Sequence, residues 1–153
     1  MARLAINDFK SAFRGGARPN LFKAFVDPPG GVNQNPARTF EYMCSTTSIP
    51  GETIGIIEQP FMGRVYKIPG NRTFEDWTTT IINDEDYNLR NMFEKWSELL
   101  GGNASNVWQG STAYADSLSV IQYNRGGHAV KEYKFVHAWP STIGPIELGW
   151  DTN

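Results

Sequence analysis

The stretch GNRTFEDWTTTIINDEDYNLRNMFEKWSELLGG, Gly70 to Gly102, contains the change of period on which the fold reading turns. Up to Ile82 it is dense in β-branched residues, the composition of a strand, and it follows the turn-forming string Pro69-Gly70-Asn71. Strands are therefore expected over Phe61–Ile68 and Thr73–Ile82, joined as a hairpin at Pro69-Gly70-Asn71. Beyond Asp86 the period changes. Leu89, Met92, Phe93, Trp96, Leu99 and Leu100 recur three or four residues apart, which places them on one stripe of an α-helix. Asn83 or Asp84 can cap it, Asp84, Glu85 and Asp86 suit the positive end of its dipole, and Gly101-Gly102 provides a left-handed stop. A helix of about 17 residues would be about 25 Å long. Leu89, Met92, Phe93 and Trp96, with Trp77 and Trp139, are the expected core.

Toward the N-terminus, Ile6, Phe9 and Phe13 recur at helical spacing and Gly15-Gly16 closes the segment, predicting a short amphipathic helix over residues 4–14. Asn20–Val26 reads as a strand ended by Pro28-Pro29-Gly30-Gly31, and Arg38–Cys44 alternates Phe40 and Tyr42 against Thr39 and Glu41, as a half-buried strand does. Ser45–Pro60, rich in Thr, Ser, Pro and Gly with Ile54, Ile56 and Ile57, reads as an extended arm or irregular hairpin. Toward the C-terminus, the uncharged run Asn103–Ala115 is a surface loop, and strands are expected over Leu118–Asn124, Val130–Trp139 and Ile146–Trp150. About seven sequential strands with one long and one short helix make the chain mainly β, of the α+β class. The expected architecture is an antiparallel sandwich or barrel with the long helix against it.

The 153 residues suit a single domain, 1–153, and no internal repeat or linker divides them. With 14 Lys and Arg against 16 Asp and Glu, the net charge of −2 disfavours a dedicated nucleic-acid binder. One cysteine, Cys44, excludes an internal disulfide, and with His128 and His137 it makes a poor zinc set. No apolar run is long enough for a membrane anchor, and no export signal is legible, which together with a free thiol points to cytoplasmic synthesis.

Residue chemistry yields no enzyme and no cofactor site. Asp84, Glu85 and Asp86 are explained by a helix start, Cys44 by packing in a strand without an activating neighbour, and His137 by the Tyr133, Phe135 and Trp139 face of its strand as a partly buried imidazole. His128 falls in a glycine turn, and Gly30-Gly31 and Gly126-Gly127 lack the strand-to-helix context of a phosphate cradle. Left over is apolar surface at the periphery: Ile54 to Ile57, Phe61 and Met62 in the arm, and Ile6, Phe9 and Phe13 in the first helix. These either pack onto the chain's own body or meet a partner.

Four strings in order, RPNLF (Arg18–Phe22), FMGR (Phe61–Arg64), GNRTFEDWTTTIINDED (Gly70–Asp86) and WPSTIGPIELGWD (Trp139–Asp151), resemble motifs of the tail tube proteins of T-even-type contractile-tailed bacteriophages. The similarity spans nearly the whole chain. It implies a structural subunit of the virion tail, assembled in the host cytoplasm into stacked hexameric rings. Tail sheath protein would lie outside the rings, baseplate and tail terminator proteins at the ends, and DNA would pass through the lumen without specific binding. The resemblance makes Ser45–Met62 the stacking arm, with Pro50, Ile54, Ile56, Ile57, Phe61 and Met62 as contacts, and the N-terminal segment with Ile6, Phe9 and Phe13 a second contact. The resemblance also implies a further strand, usual in the family, past the Trp-Asp motif, which the sequence ending at Asn153 is expected to lack, by truncation or with another chain in its place. Two rival readings are a tube subunit of a type VI secretion or tailocin-like injection system, and a β-sandwich carbohydrate-binding module using its tryptophans.

Overall fold

The computed structural model describes residues 6–13, 16–102, 110 and 117–150. In chain order the elements are α1 (Ile6–Ala12), β1 (Phe22–Asp27), α2 (Ala37–Met43), β2 (Cys44–Thr47), β3 (Glu52–Phe61), β4 (Arg64–Phe74), β5 (Thr79–Ile81), α3 (Asn88–Leu100), β6 (Ser117–Tyr123) and β7 (Ala129–Phe135). Every strand pairing is antiparallel, and the chain is mainly β with helices, an α+β fold. β6 lies between β1 and β7 in a three-stranded sheet that ends at those two strands; β2–β5 and β3–β4 are two-stranded ribbons. Closure into a barrel or sandwich is therefore not a property of the described residues of one chain.

The core lies where one face of the three-stranded sheet meets the helices. Ala24 and Val26 of β1 and Leu118 and Val120 of β6 share a buried cluster with Phe40 of α2 and Leu89, Met92 and Trp96 of α3. The alternation of each strand and the helical stripe of α3 make this possible, since both put their large apolar groups on one side. Phe93 and Trp77 are partly buried against the cluster. Trp139, expected in the core, is 53% exposed, because the chain beyond Phe135 leaves the sheet as coil and carries the ring outward. His137 is likewise exposed, with a left-handed φ of 54°.

Asp84 caps α3, but from a distance. A turn from Asp84 to Tyr87, closed by the Tyr87 N–H donating to the Asp84 carbonyl at 3.0 Å, puts Tyr87 in the left-handed region. The Asp84 carboxylate then accepts the N–H groups of Asn88 at 3.0 Å and Leu89 at 3.3 Å. These are donors that the helix itself leaves unpaired. The far end differs from expectation: Gly101 has φ −165°, extended and not left-handed, although its N–H still donates to the Ser97 carbonyl at 3.2 Å. At 13 residues the helix is shorter than its sequence suggests.

Three other segments differ from the sequence reading. Arg38–Cys44 is not a strand; most of it is helix α2, begun by Pro36, whose carbonyl accepts the N–H groups of Thr39 and Phe40. Ala37, Phe40, Met43 and Cys44 all join the core cluster, a three- and four-residue spacing that competed in the sequence with alternation. Tyr42, two residues from the buried Phe40, points to solvent, as helical geometry requires. Pro69-Gly70-Asn71 is no turn but lies inside β4, while Ile146–Trp150 forms no strand. Residue 110 aside, the expected loop at 103–109 and 111–115, and the ends of the short helix at 4–5 and 14, lie outside the described residues.

The hairpin turns at Met62-Gly63 instead, both with positive φ (45° and 78°), between the paired Phe61 and Arg64. Two consecutive left-handed residues match the twist of the strands they join. At Pro69-Gly70-Asn71 the register slips: Ile54 pairs with Arg72 but Ile56 with Pro69, so Gly55 alone faces Gly70 and Asn71. This is a β-bulge, the other structure that proline and glycine signal inside a strand. A Cβ on Gly70 would lie 3.0 Å from Ile57 Cγ1 and 3.2 Å from the Gly55 carbonyl oxygen, so the bulge has room only for glycine.

β2–β5 and β3–β4 are successive parts of one long hairpin. Across the break, Ser48 donates its N–H to the Thr78 carbonyl at 3.1 Å and Glu75 donates its N–H to the Gly51 carbonyl at 3.1 Å. Trp77, in this break, fastens the hairpin's base to the body. Its indole N–H donates to Thr47 Oγ1 at 2.8 Å, its ring stacks on Phe135 of β7 with centroids 4.9 Å apart, and Phe40 meets it edge-on.

Trp96→Ala should lower unfolding free energy by about 3–5 kcal/mol, since it empties the largest fully buried side-chain volume. Thermal or denaturant unfolding of the variant checks this, and an unchanged midpoint would remove α3 from the core. Asp84→Ala should cost about 1 kcal/mol by stranding two helix N–H groups, with Asp84→Asn recovering part of it through its amide oxygen; chemical denaturation of the three proteins measures both.

Candidate assembly surfaces

β3 and β4 stand apart from the core. Apart from the half-buried Gly70, every residue of both strands is exposed. Strands of 10 and 11 residues extend about 33 Å at strand rise, so the ribbon is long as well as bare. A lone two-stranded hairpin is marginal in water, because it has no second layer to bury its side chains against. Ile54, Ile56, Ile57, Phe61 and Met62, read in the sequence as contact residues, all lie on this ribbon. Met62, at 89% exposure, forms its tip, and Pro50 lies at the break below its base. The structure adds Val65, Tyr66, Ile68 and Phe74 from β4. These were assigned to a different hairpin in the sequence, so the signal for them was the Met62-Gly63 turn.

α1 is the second bare element. None of its residues is buried, and Ile6, Phe9 and Phe13 expose more than half their surface. Phe9 and Phe13 stack on each other at 5.3 Å, with the Phe13 N–H donating to the Phe9 carbonyl at 2.8 Å. Seven helical residues are too few to hold an isolated helix in water. A third apolar surface, absent from the sequence reading, is the C-terminal coil with Ile146, Leu148 and Trp150 exposed; Arg90 Nη1 ties this coil to α3 by donating to the Gly144 carbonyl at 2.6 Å.

Taken together, the ribbon, α1 and the C-terminal coil are three places where large apolar side chains stay uncovered among the described residues.

Polar chemistry at these surfaces is structural. The Asp84 carboxylate is committed to two helix N–H groups, and burial pushes the Cys44 thiol up, away from the reactive thiolate. Among the described residues, no group of three His, Cys, Asp or Glu side chains could hold a metal ion, and no helix is long and apolar enough to cross a membrane. Lys23 of β1 bonds the Glu41 carboxylate of α2, which raises the lysine above its ordinary value and pins helix to strand. His128 lies in the exposed β6–β7 turn, where its N–H and that of Gly126 both donate to Asn124 Oδ1.

Sequence comparison agrees with what these surfaces require. The family model described as phage tail tube protein matches residues 12–153. The chain is 34% identical over 152 residues to the tail tube protein gp19 of Enterobacteria phage T4, covering 97% of this chain and 89% of that protein. Identity to tail tube protein gp19 of Enterobacteria phage T6 is the same, over the same shares. The tail tube protein of Serratia phage KSP90 is 26% identical over 148 residues, covering 94% of this chain and 84% of the relative. A chain whose strand-rich periphery is left bare, and which matches these proteins over nearly its whole length, belongs to the phage tail tube protein family, as a structural component of the virion tail and not an enzyme.

Proposed function

We propose that this chain, as one domain, is the repeating subunit of a contractile-tail tube, in which hexameric rings stack around a lumen that passes the genome. The observation that carries the reading is the ribbon from Glu52 to Phe74, an element too long and too apolar to persist without a second layer. Stacked rings supply that layer from identical copies, and a closed ring also removes the free edges at β1 and β7. The first helix, with Ile6, Phe9 and Phe13, is a further contact between subunits. Sheath protein covers the outside, baseplate and terminator proteins cap the ends, and assembly takes place in the host cytoplasm. Phage relatives favour this reading over a type VI secretion or tailocin tube. A net charge of −2 suits a wall over which a polyanion slides, because the 14 Lys and Arg are outnumbered by 16 Asp and Glu and leave no net positive charge to hold phosphates by counterion release.

The hydrogen bond between Glu75 and Gly51 brings the two ends of the ribbon together, so a short turn can replace residues 52–74. The shortened protein should unfold within about 0.5 kcal/mol of the intact one, as the ribbon lies outside the core, yet form no tubes. Circular dichroism melting and negative-stain electron microscopy read the two outcomes. Tubes of normal appearance from the shortened protein would end the proposal.

A further inference from the structure

The two faces of the ribbon differ in charge, and the bulge maintains the difference. Opposed residues of an antiparallel pair share a face, and successive residues alternate. One face carries Glu58 opposite Lys67, 3.7 Å apart, and Glu52 near Arg72, 3.2 Å apart, with Ile54, Ile56, Val65 and Phe74 between and beside these pairs. The other carries Ile57 opposite Ile68 and Gln59 opposite Tyr66, with Phe61 toward the tip. At its base Thr53 opposes Thr73, whose hydroxyl donates to the Thr53 carbonyl at 3.3 Å. Between base and tip this second face holds no charge; Arg64, at the turn, is its only ionisable cation. Continuing the register of the tip past Pro69 would pair Arg72 with Thr53 and put its guanidinium on the face of Ile57 and Ile68. The bulge keeps Arg72 beside Glu52 instead.

We infer that the uncharged face, built around Ile57, Ile68 and Tyr66, is the one that seats on a second copy of this chain, while the ion-paired face stays toward water. This rests on the tube reading above and adds which side of the arm makes the contact. The ion-paired face also carries Ile54, Ile56, Val65 and Phe74, but burying it would strip water from four charges, whereas the face of Ile57, Ile68, Tyr66 and Phe61 has no ion pair to desolvate and only Arg64, at the turn, to keep in water. A second copy is the occupant because the same chain carries the other uncovered apolar side chains, on α1 and in the C-terminal coil, and open sheet edges at β1 and β7 among its described residues, which like subunits in a closed ring can cover for one another.

Ile57 and Val65 are 54% and 56% exposed and lie on opposite faces, so they make a matched pair. The test measures the assembly threshold of purified full-length Ile57→Lys and Val65→Lys by sedimentation velocity and negative-stain microscopy, with melting curves confirming the fold. Ile68→Lys serves as a second variant of the uncharged face. Ile57→Lys and Ile68→Lys should raise the concentration needed for assembly by at least about 100-fold, and Val65→Lys by no more than about threefold. Equal loss on both faces, or loss confined to Val65→Lys, overturns the face assignment and leaves the arm as a contact. Normal assembly of all three overturns the face assignment and removes the arm as a contact.

Discussion

Between Glu52 and Phe74 the side chains of a two-stranded ribbon stand on one of two faces, and no second layer lies against either among the described residues. Backbone hydrogen bonds hold such a ribbon in register but contribute little net stability, since water offers the same bonds to the open chain. Apolar burial has to supply the rest, and among the described residues the ribbon has none. The described chain thus follows two rules: a small core that closes on itself, and a projecting hairpin whose apolar side chains stay exposed.

Trp77 sits where the two meet. It lies in the break between the short ribbon β2–β5 and the long ribbon β3–β4, with its N–H bonded to Thr47 and its ring against Phe135 and Phe40. A ring held at three sides restricts how the hairpin leaves the sheet. The arm is therefore fastened at its base to the same cluster that Trp96 and Leu89 fill, so the direction in which it projects depends on the packing of α2, α3 and β7. Further out, the Gly55 and Gly70 bulge acts on a different variable, the face on which each charge emerges. Base and bulge divide the work between orientation and register.

Much of this was legible from residue pattern. The stripe from Leu89 to Leu100 announced α3, and the alternation of Leu118–Asn124 announced β6, because both elements bury one face against the same core and so carry its period. The bare arm and first helix were legible too, as apolar residues with no evident place in a compact body. Failures came where a short string satisfied two geometries. Ala37 to Cys44 fits period two through Phe40 and Tyr42, and a helix through Ala37, Phe40 and Met43; only the position of Trp77 and Phe93 around Phe40 selects the helix.

Sequence by itself determined the class of the chain, the one long helix and the surplus of apolar residues in the arm and first helix, because these depend on composition and local period. Tertiary structure alone decided that Pro69-Gly70-Asn71 is a bulge and not a turn, that Trp139 stands outside the core, and that the ion pairs of the arm collect on one face. Those outcomes depend on which residues stand opposite each other across a ladder. Such pairing is set over the full length of two strands and cannot be read from either one alone.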